Sequence, residues 1–446
     1  MRLTNISVSL NLNIFILLFI KKCSCARINK GEKGAIKMKE RNCMIGQSGG
    51  PTVAINASLA GIIQQANLSG RFNKIYGAIN GIKGLLDNDY TDLTKEATNP
   101  SFIDYLIRTP AMYLGSCRYK LPAMDENEEP YFNIFNLFNK LGITDFFYIG
   151  GNDSMDTVRK LSKYARINQI NIHIIGVPKT IDNDLVGTDH SPGFGSAAKF
   201  VATTMLEIIH DSMIYKVESV TIVEIMGRNA GWLTAATALA RNEHQGAPDL
   251  IYLPEIVFDR KKFIDSIKEL FKTKRNIIIA VSEGIKDESG NFIDSESNHY
   301  KTDVFGHVLH SGTGKVLENI VSEVFGCKVR SIELNVLQRS AMHLASKTDI
   351  GESFMVGKKS IELALNNETE KMVVIERVKE YQVEYKVKDI VSIANLEKKV
   401  PRDWINIDGN DIKKELYDYL YPLIQGEVDI EYKDGLPNYL DISHLK

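Results

Sequence analysis

Asp182 and Asp184 stand two residues apart in the heptad Pro178-Lys179-Thr180-Ile181-Asp182-Asn183-Asp184, with Lys179 beside them and an apolar run, Ile172 to Ile175, leading in. On an extended backbone alternate side chains share a face, so one carboxylate can take a proton while its neighbour fixes orientation or a metal. Such an arrangement suits chemistry on a hydroxyl next to phosphate. In isolation the heptad reads just as well as a polar loop after a strand. Its company along the chain decides between the two.

Two glycine clusters each follow an apolar run of strand length. Asn42 to Ile45 leads into Gly46-Gln47-Ser48-Gly49-Gly50-Pro51-Thr52 and then a helical period from about Val53 to Ala66, with Ile55, Leu59, Ile62 and Ile63 on one face. Asp145 to Ile149 leads into Gly150-Gly151-Asn152-Asp153-Ser154 and a helix carrying Val158, Leu161 and Tyr164. Glycine after a strand often only permits a tight turn. At a helix start it also lets backbone N–H groups approach an anion, aided by the helix dipole. The first cluster is neither a P-loop lysine motif nor a full dinucleotide fingerprint. Two such loops converging on Asp182 point to phosphoryl transfer.

The elements that must position these groups repeat one pattern of strand, glycine turn and helix. Val220 to Ile225 precedes Met226-Gly227-Arg228, and Ile277 to Val281 precedes Ser282-Glu283-Gly284. This alternation predicts an α/β fold, mostly parallel sheets covered by helices on both faces, arranged as two similar Rossmann-like lobes. Ligands of such sheets sit beyond the carboxyl ends of the strands, where every polar cluster above must lie. Further on, Met372 to Val378 and Val383 to Val387 read as half-exposed strands, and Asp408 to Tyr421 as a helix, with no chemistry expected there.

The chain has 446 residues, enough for two or three domains. Lys plus Arg number 54 against 56 Asp plus Glu, which argues against nucleic acid or an anionic membrane surface as partner. Five scattered cysteines suit a reducing, cytoplasmic setting. Leu10 to Ile20 has the length of a signal-peptide core but is followed by Lys21-Lys22 where a small-residue cleavage site should be. A start at Met38 is the preferred reading, which makes residues 1–37 a non-native leader. His190, His210, His307, His310 and His343 form no ligand-like group and read as packing or surface residues, and Trp232 as a core or lobe-interface aromatic.

From about Asn42 to Asp349 the successive motifs resemble the phosphofructokinase family, in the family's order. Lys179 before Thr-Ile-Asp-Asn-Asp, and Asp153 in the second loop, look like the pyrophosphate-dependent branch, since ATP-dependent members typically carry glycine at both places. The resemblance implies the phosphofructokinase fold and reversible phosphorylation of fructose 6-phosphate to fructose 1,6-bisphosphate by pyrophosphate, with Mg2+, in a cytoplasmic homodimer. Physical reasoning agrees on donor choice: a carboxylate roughly 4 Å from a nucleotide's α-phosphate costs about 4 kcal/mol at an effective dielectric near 20. By the same resemblance Asp182 is the general base for the sugar's 1-hydroxyl, with Lys179 and Arg118 stabilising the moving phosphoryl group. Gly50, Asp153 and Lys179 bind the donor. Thr180, Ile181, Asp182, Asp184, Met226, Gly227, Arg228 and Glu283 line the sugar site, and Arg330, Val336 and Arg339 belong to its 6-phosphate clamp.

Three positions depart from the family's pattern. Asn152 replaces the usual magnesium-associated aspartate, so the metal falls to Asp153, to Asp182 or Asp184, or mainly to the phosphates with water. Ser219 replaces an arginine nine residues before Arg228, and Val336 stands where many relatives have histidine or tyrosine. The expected organisation is a donor lobe of 42–190 plus about 338–390, a sugar-phosphate lobe of 191–337, and a C-terminal extension of 391–446 packed on the core. Alternatives are an ATP-dependent 6-phosphofructokinase and a catalytically silent sugar-phosphate-binding subunit.

Overall fold

The computed structural model describes residues 41–117, 119–293, 301–302, 308–309, 312–379 and 381–445; the expected leader 1–37, Arg118, His307 and His310 lie outside them. A seven-stranded sheet runs in the order Val383–Asp389, Lys371–Arg377, His173–Pro178, Ile143–Gly150, Arg41–Gln47, Phe72–Ala78, Tyr90–Asp92. Its inner pairings are parallel and the pairing at each edge is antiparallel. A second, four-stranded sheet is parallel throughout, in the order Lys328–Glu333, Ser219–Ile225, Asn276–Ser282, Leu250–Tyr252. This is the mostly parallel α/β architecture that the alternating pattern predicts.

Alternation along the strands explains why both sheets carry helices on both faces. In the larger sheet Cys43, Ile45, Phe147, Ile149, Ile175 and Val177 pack on one side with Ile55, Leu59 and Ile62 of the helix Ile55–Ser69 and Val356 of the helix Lys347–Leu365. Met44, Phe146, Tyr148 and Ile174 face the other side, against Ile134 and Phe138 of Glu129–Leu141 and Val158 and Leu161 of Asn152–Ile167. The smaller sheet buries Val223, Ile225, Ile278 and Ala280 against the helix Phe194–Met213, and Val220, Ile222, Ile277 and Ile279 against Arg260–Phe271 and Thr313–Phe325.

The helices Ile55–Ser69 and Lys347–Leu365 cross at two glycines. A Cβ on Gly61 would lie 2.1 Å from the Phe354 carbonyl oxygen, and one on Gly357 2.1 Å from that of Ser58. Only residues without side chains allow this approach. Beyond the crossing, the Asp349 carboxylate accepts from the Gly193 and Ser196 N–H groups at 2.8 and 3.0 Å, which ties the helix Lys347–Leu365 to the start of Phe194–Met213.

Two expectations are corrected. Met372 to Ile375 is fully buried rather than half-exposed, because Lys371–Arg377 is an interior strand with Val373 and Ile375 in one core and Met372 and Val374 in the other. Only the edge strand Val383–Asp389 shows the alternation of a half-exposed strand. The helix expected over Asp408 to Tyr421 is confined to Lys414–Leu420, since Gly409 (φ 75°) turns the chain and Ile405 pairs with Ile412. Leu416, Leu420 and Leu423 then join the core around Phe194–Met213.

Candidate active site

The strands Arg41–Gln47, Ile143–Gly150 and His173–Pro178 end side by side, so the loops after them meet at one edge. Gly49 has φ +78°, and added Cβ atoms would stand 3.2 Å from Lys179 Nζ at Gly49 and 3.1 Å from Arg339 Nη1 at Gly50. The loop therefore lies directly over two cations, and its glycines are what admit that contact. Lys179 is buried and its Nζ donates to the Gly50 carbonyl at 2.7 Å. Burial lowers its pKa to about 8, against the pull of Asp182 and Asp184 towards the charged form.

The turn that presents the carboxylates is built by its own polar groups. Thr180 Oγ1 accepts from Asp182 N–H at 3.1 Å, while Thr180 N–H donates to Pro192 O. Asn183 adopts the left-handed conformation (φ 54°), buried, its amide donating to the Tyr419 hydroxyl at 2.9 Å and accepting from Ser191 N–H at 3.0 Å. Asp182 and Asp184 are thus neighbours across a left-handed residue, not along an extended strand as their spacing suggested. Burial raises the pKa of Asp182, opposed by Lys179, Arg228 and Arg339. Burial and the Asp182 charge together push Asp184 up to about 7. Asp184 Oδ1 is buried with no hydrogen-bond partner among the described residues. Ile181, expected among the substrate contacts, instead buries its side chain in the core around Phe194–Met213.

From the smaller sheet, Ser219–Ile225 and Asn276–Ser282 end in register, bringing Met226-Gly227-Arg228 against Glu283. Gly227 N–H donates to Glu283 Oε1 at 3.2 Å, Ser282 Oγ donates to Gly227 O at 2.6 Å, and Met226 N–H donates to Gln338 Oε1 at 3.2 Å. Burial pushes Glu283 up to about 7. The Arg228 charge acts on Asp182, so this loop and the carboxylate turn share one electrostatic environment. Arg339 closes the same cluster from the short helical turn Asn335–Arg339, where Val336 is exposed.

The structure departs from the expected set at further positions. Arg330 does not join Arg339: it is level with Thr221, four residues or about 13 Å short of the Ile225 end of its neighbour strand, and pairs with Asp211 at 2.9 Å. Asn152, at the metal-associated position, spends both ends of its amide elsewhere, accepting from Asn395 N–H at 2.7 Å and donating to Leu396 O at 2.8 Å. Asp153 is exposed in the first turn of Asn152–Ile167. His190 is no simple packing residue, since it sits buried between Asp189 (2.8 Å) and Glu352 (2.6 Å), which raise its pKa against the effect of burial. Trp232 is a core aromatic packed on Tyr419, its Nε1 donating to Lys398 O.

Sequence reasoning missed the segment Asn395–Lys398. Lys398 Nζ donates to Asp189 O at 2.6 Å and its N–H to Asp184 O at 2.7 Å, behind the carboxylate turn. Glu397 accepts from Asn229 Nδ2 at 2.8 Å. No local pattern marks these contacts, because they are made by residues more than 160 positions apart. A cavity of about 640 Å³ beside Tyr252, Phe258 and Asp259 contains none of the site residues.

Known proteins place this arrangement. A phosphofructokinase family profile matches residues 42–333. A protein of Halomonas elongata named pyrophosphate–fructose 6-phosphate 1-phosphotransferase is 40% identical over 405 residues, covering 90% of this chain and 96% of that one. A Methylococcus capsulatus protein of the same name is 37% identical over 413 residues, covering 92% and 97%. The crystal structure of a pyrophosphate-dependent phosphofructokinase from Nitrosospira multiformis superimposes with a TM-score of 0.81 at 38% identity, covering 90% of this chain and 96% of that one. With the glycine loop, the carboxylate turn and the loop Met226 to Arg228 brought together, this chain belongs to the phosphofructokinase family.

Proposed function

We propose that this chain transfers a phosphoryl group between pyrophosphate and the 1-hydroxyl of fructose 6-phosphate, reversibly, giving fructose 1,6-bisphosphate and phosphate. The observation that carries this reading is Lys179: a buried cation directly under Gly49 and Gly50 and electrostatically coupled to Asp182. Relatives at 37–40% identity over nine-tenths of the chain carry the name of that activity.

In the forward direction Asp182 takes the proton of the 1-hydroxyl as that oxygen bonds to the near phosphorus of pyrophosphate. The bridging P–O bond breaks, its electron pair stays on the departing phosphate, and Lys179 and Arg339 offset the charge that collects there. Asp182 returns its proton as products leave. Met226, Gly227, Arg228 and Glu283 hold the sugar, and Asp153 at the mouth repels a nucleotide's additional phosphate.

The residues present fit Mg2+. Asp182 and Asp184 supply only oxygen donors, both have raised pKa values, and Asp184 Oδ1 is buried without a partner among the described residues, so these two carboxylates would hold a hard divalent cation. The chemistry such a cation would supply there is neutralisation of phosphate charge. The two sheets serve as donor lobe (42–190 with about 338–390) and sugar lobe (191–337), with 391–446 as an extension packed on them.

A cytoplasmic homodimer accords with the free thiols of Cys43, Cys117 and Cys327 and with the exposed apolar side chains of Met213, Ile214 and Val217. No helix among the described residues is long and apolar enough to cross a membrane.

Side-by-side assays of purified full-length protein with pyrophosphate and ATP test the reading. Pyrophosphate is expected to give a kcat/KM at least about 100-fold above that of ATP, matching the charge penalty at Asp153. Preference for ATP, or sugar binding without turnover of any donor, overturns it.

A further inference from the structure

The hydrogen bonds of Asn395 to Lys398 form a strap between the start of the helix Asn152–Ile167 and the turn that carries Asp184. On one side lies the helix Asn152–Ile167, whose residues 152 and 156 are one turn apart on the same face. The strap sits on both: Asn395 N–H and Leu396 O take the two ends of the Asn152 amide, and Asn395 Nδ2 donates to Asp156 Oδ1 at 3.1 Å. On the other side Glu397 pairs with Leu185 as an antiparallel bridge, and Lys398 N–H donates to Asp184 O at 2.7 Å. Glu397 also accepts from Asn229 of the sugar loop. Donor helix, catalytic turn and sugar loop are therefore joined by four consecutive residues.

We propose that this strap is the outer wall of the donor site and sets the length of donor it accepts, admitting two phosphates and excluding a third. The inference rests on the pyrophosphate reading and adds a second determinant to Lys179 and Asp153. The transferred phosphorus must lie beside Asp182, so the departing part of the donor extends towards the helix start at Asn152. Leu396 is bonded to that helix start through Asn152, and Glu397 is bridged to Leu185 beside Asp184, so these two residues flank the direction the donor takes. Glu397 brings a carboxylate whose charge already pushes Asp182 and Asp184 upward, so a third phosphate there meets both a wall and a like charge.

Asn152 is explained by the same geometry. The strap offers one N–H and one carbonyl to this position, and only an amide answers both, since an aspartate has no N–H to give Leu396 O. The departure from the family's aspartate is then part of the wall.

Tripolyphosphate is the probe, an inorganic donor longer than pyrophosphate by one unit and free of any base. The reading is the ratio of kcat/KM for tripolyphosphate to that for pyrophosphate in full-length protein, in which losses common to both donors cancel. The double variant Asn395→Gly with Leu396→Gly is expected to raise this ratio at least tenfold, with less change in the KM for fructose 6-phosphate. Glu397→Gln keeps an acceptor for Asn229 while removing the charge, and is expected to raise the ratio at least threefold even if the double variant does not fold.

A strap that is only structural lowers both donors alike and leaves the ratio unmoved. An unchanged ratio in Glu397→Gln, or in a folded double variant, overturns the proposal. Wild-type protein inactive with pyrophosphate refutes the function reading instead, so the two failures are distinguishable.

Discussion

Lys179 Nζ donates a 2.7 Å hydrogen bond to the carbonyl oxygen of Gly50, so a buried charge fixes the glycine loop that lies over it. A buried ammonium is costly unless partnered, and here one proton goes to the loop while Asp182 and Asp184 supply the opposing charge. On the proposed reading, removing it is expected to affect donor binding before anything else. Lys179→Met is expected to raise the KM for pyrophosphate about 10- to 100-fold, the equivalent of one charged hydrogen bond, with a smaller change in the KM for fructose 6-phosphate. Lys179→Arg is not expected to rescue it, because the loop over Gly49 leaves only 3.2 Å between a Cβ position and Nζ, too little for a planar guanidinium. Steady-state kinetics in both substrates check this. Equal losses for donor and sugar contradict the assignment.

Asp182 is expected to matter for turnover rather than binding. Asp182→Ala removes the proton acceptor but leaves Gly227, Arg228 and Glu283 in place, so kcat should fall about 100- to 10,000-fold. Affinity for fructose 6-phosphate, read by equilibrium binding without donor, should change little. Undiminished kcat removes Asp182 from the mechanism.

Asp184 links the site to pH. Its folded pKa of about 7 lies above the ordinary 3.8, so between those values the folded chain holds a proton that the unfolded chain has released. The contribution to stability is fully present below 3.8 and is lost as pH rises through about 7. Asp184→Asn, which never ionises, should therefore melt at higher temperature than wild type above pH 7 and show little difference near pH 4. Binding of Mg2+ at pH 7 should release protons from the carboxylate pair, detectable by calorimetry in two buffers of different ionisation enthalpy. The same binding in Asp184→Asn should release fewer. A melting difference independent of pH sinks this account.

The parts of the site legible in the sequence are those carried by local motifs at strand ends: Gly49 and Gly50, Lys179 to Asp184, and Met226 to Arg228. The apolar runs of strand length and the helical periods between them place these loops on one edge without knowledge of any contact. What the sequence hid depends on long-range geometry. Asn183 had to be left-handed for Asp182 and Asp184 to be neighbours, and the groups that hold it so, Tyr419 and Ser191, lie outside the motif. Arg330 was placed with Arg339 by the family resemblance, whereas register in the sheet puts it level with Thr221, away from the strand ends. Burial of His190 with Glu352, and of Lys398 behind the catalytic turn, follows from where chain segments far apart in sequence come together.

The strap makes a further demand on Asn152. Asn152→Asp keeps the acceptor for Asn395 N–H but sets a carboxylate oxygen against Leu396 O, replacing a 2.8 Å hydrogen bond by a repulsion. The expected result is faster backbone hydrogen exchange at Asn395 to Lys398, with exchange in the strand Ile143–Gly150 unchanged. Exchange as slow as in wild type means that the amide is not what holds the strap.

The glycine crossing tests how far packing reaches the chemistry. At Gly61 and Gly357 a methyl group would lie 2.1 Å from a backbone oxygen of the opposing helix, which neither helix can relieve by a rotamer change. Gly61→Ala and Gly357→Ala should each destabilise by about 1–3 kcal/mol. The double variant should cost less than the sum, since one displacement of the helices relieves both clashes. Gly351→Ala, on the same helix as Gly357 but with nothing within 4 Å of its added Cβ, should be neutral or slightly stabilising. Because the helix Lys347–Leu365 also carries Asp349, whose carboxylate holds the N–H groups of Gly193 and Ser196, a shift at the crossing loosens the segment that pairs with Thr180. Heating Gly61→Ala should therefore abolish turnover at a temperature below that at which far-ultraviolet circular dichroism is lost, and by a wider margin than in wild type. Coincident loss of the two signals means that the crossing stabilises the lobe as a whole and does not separately position the catalytic turn.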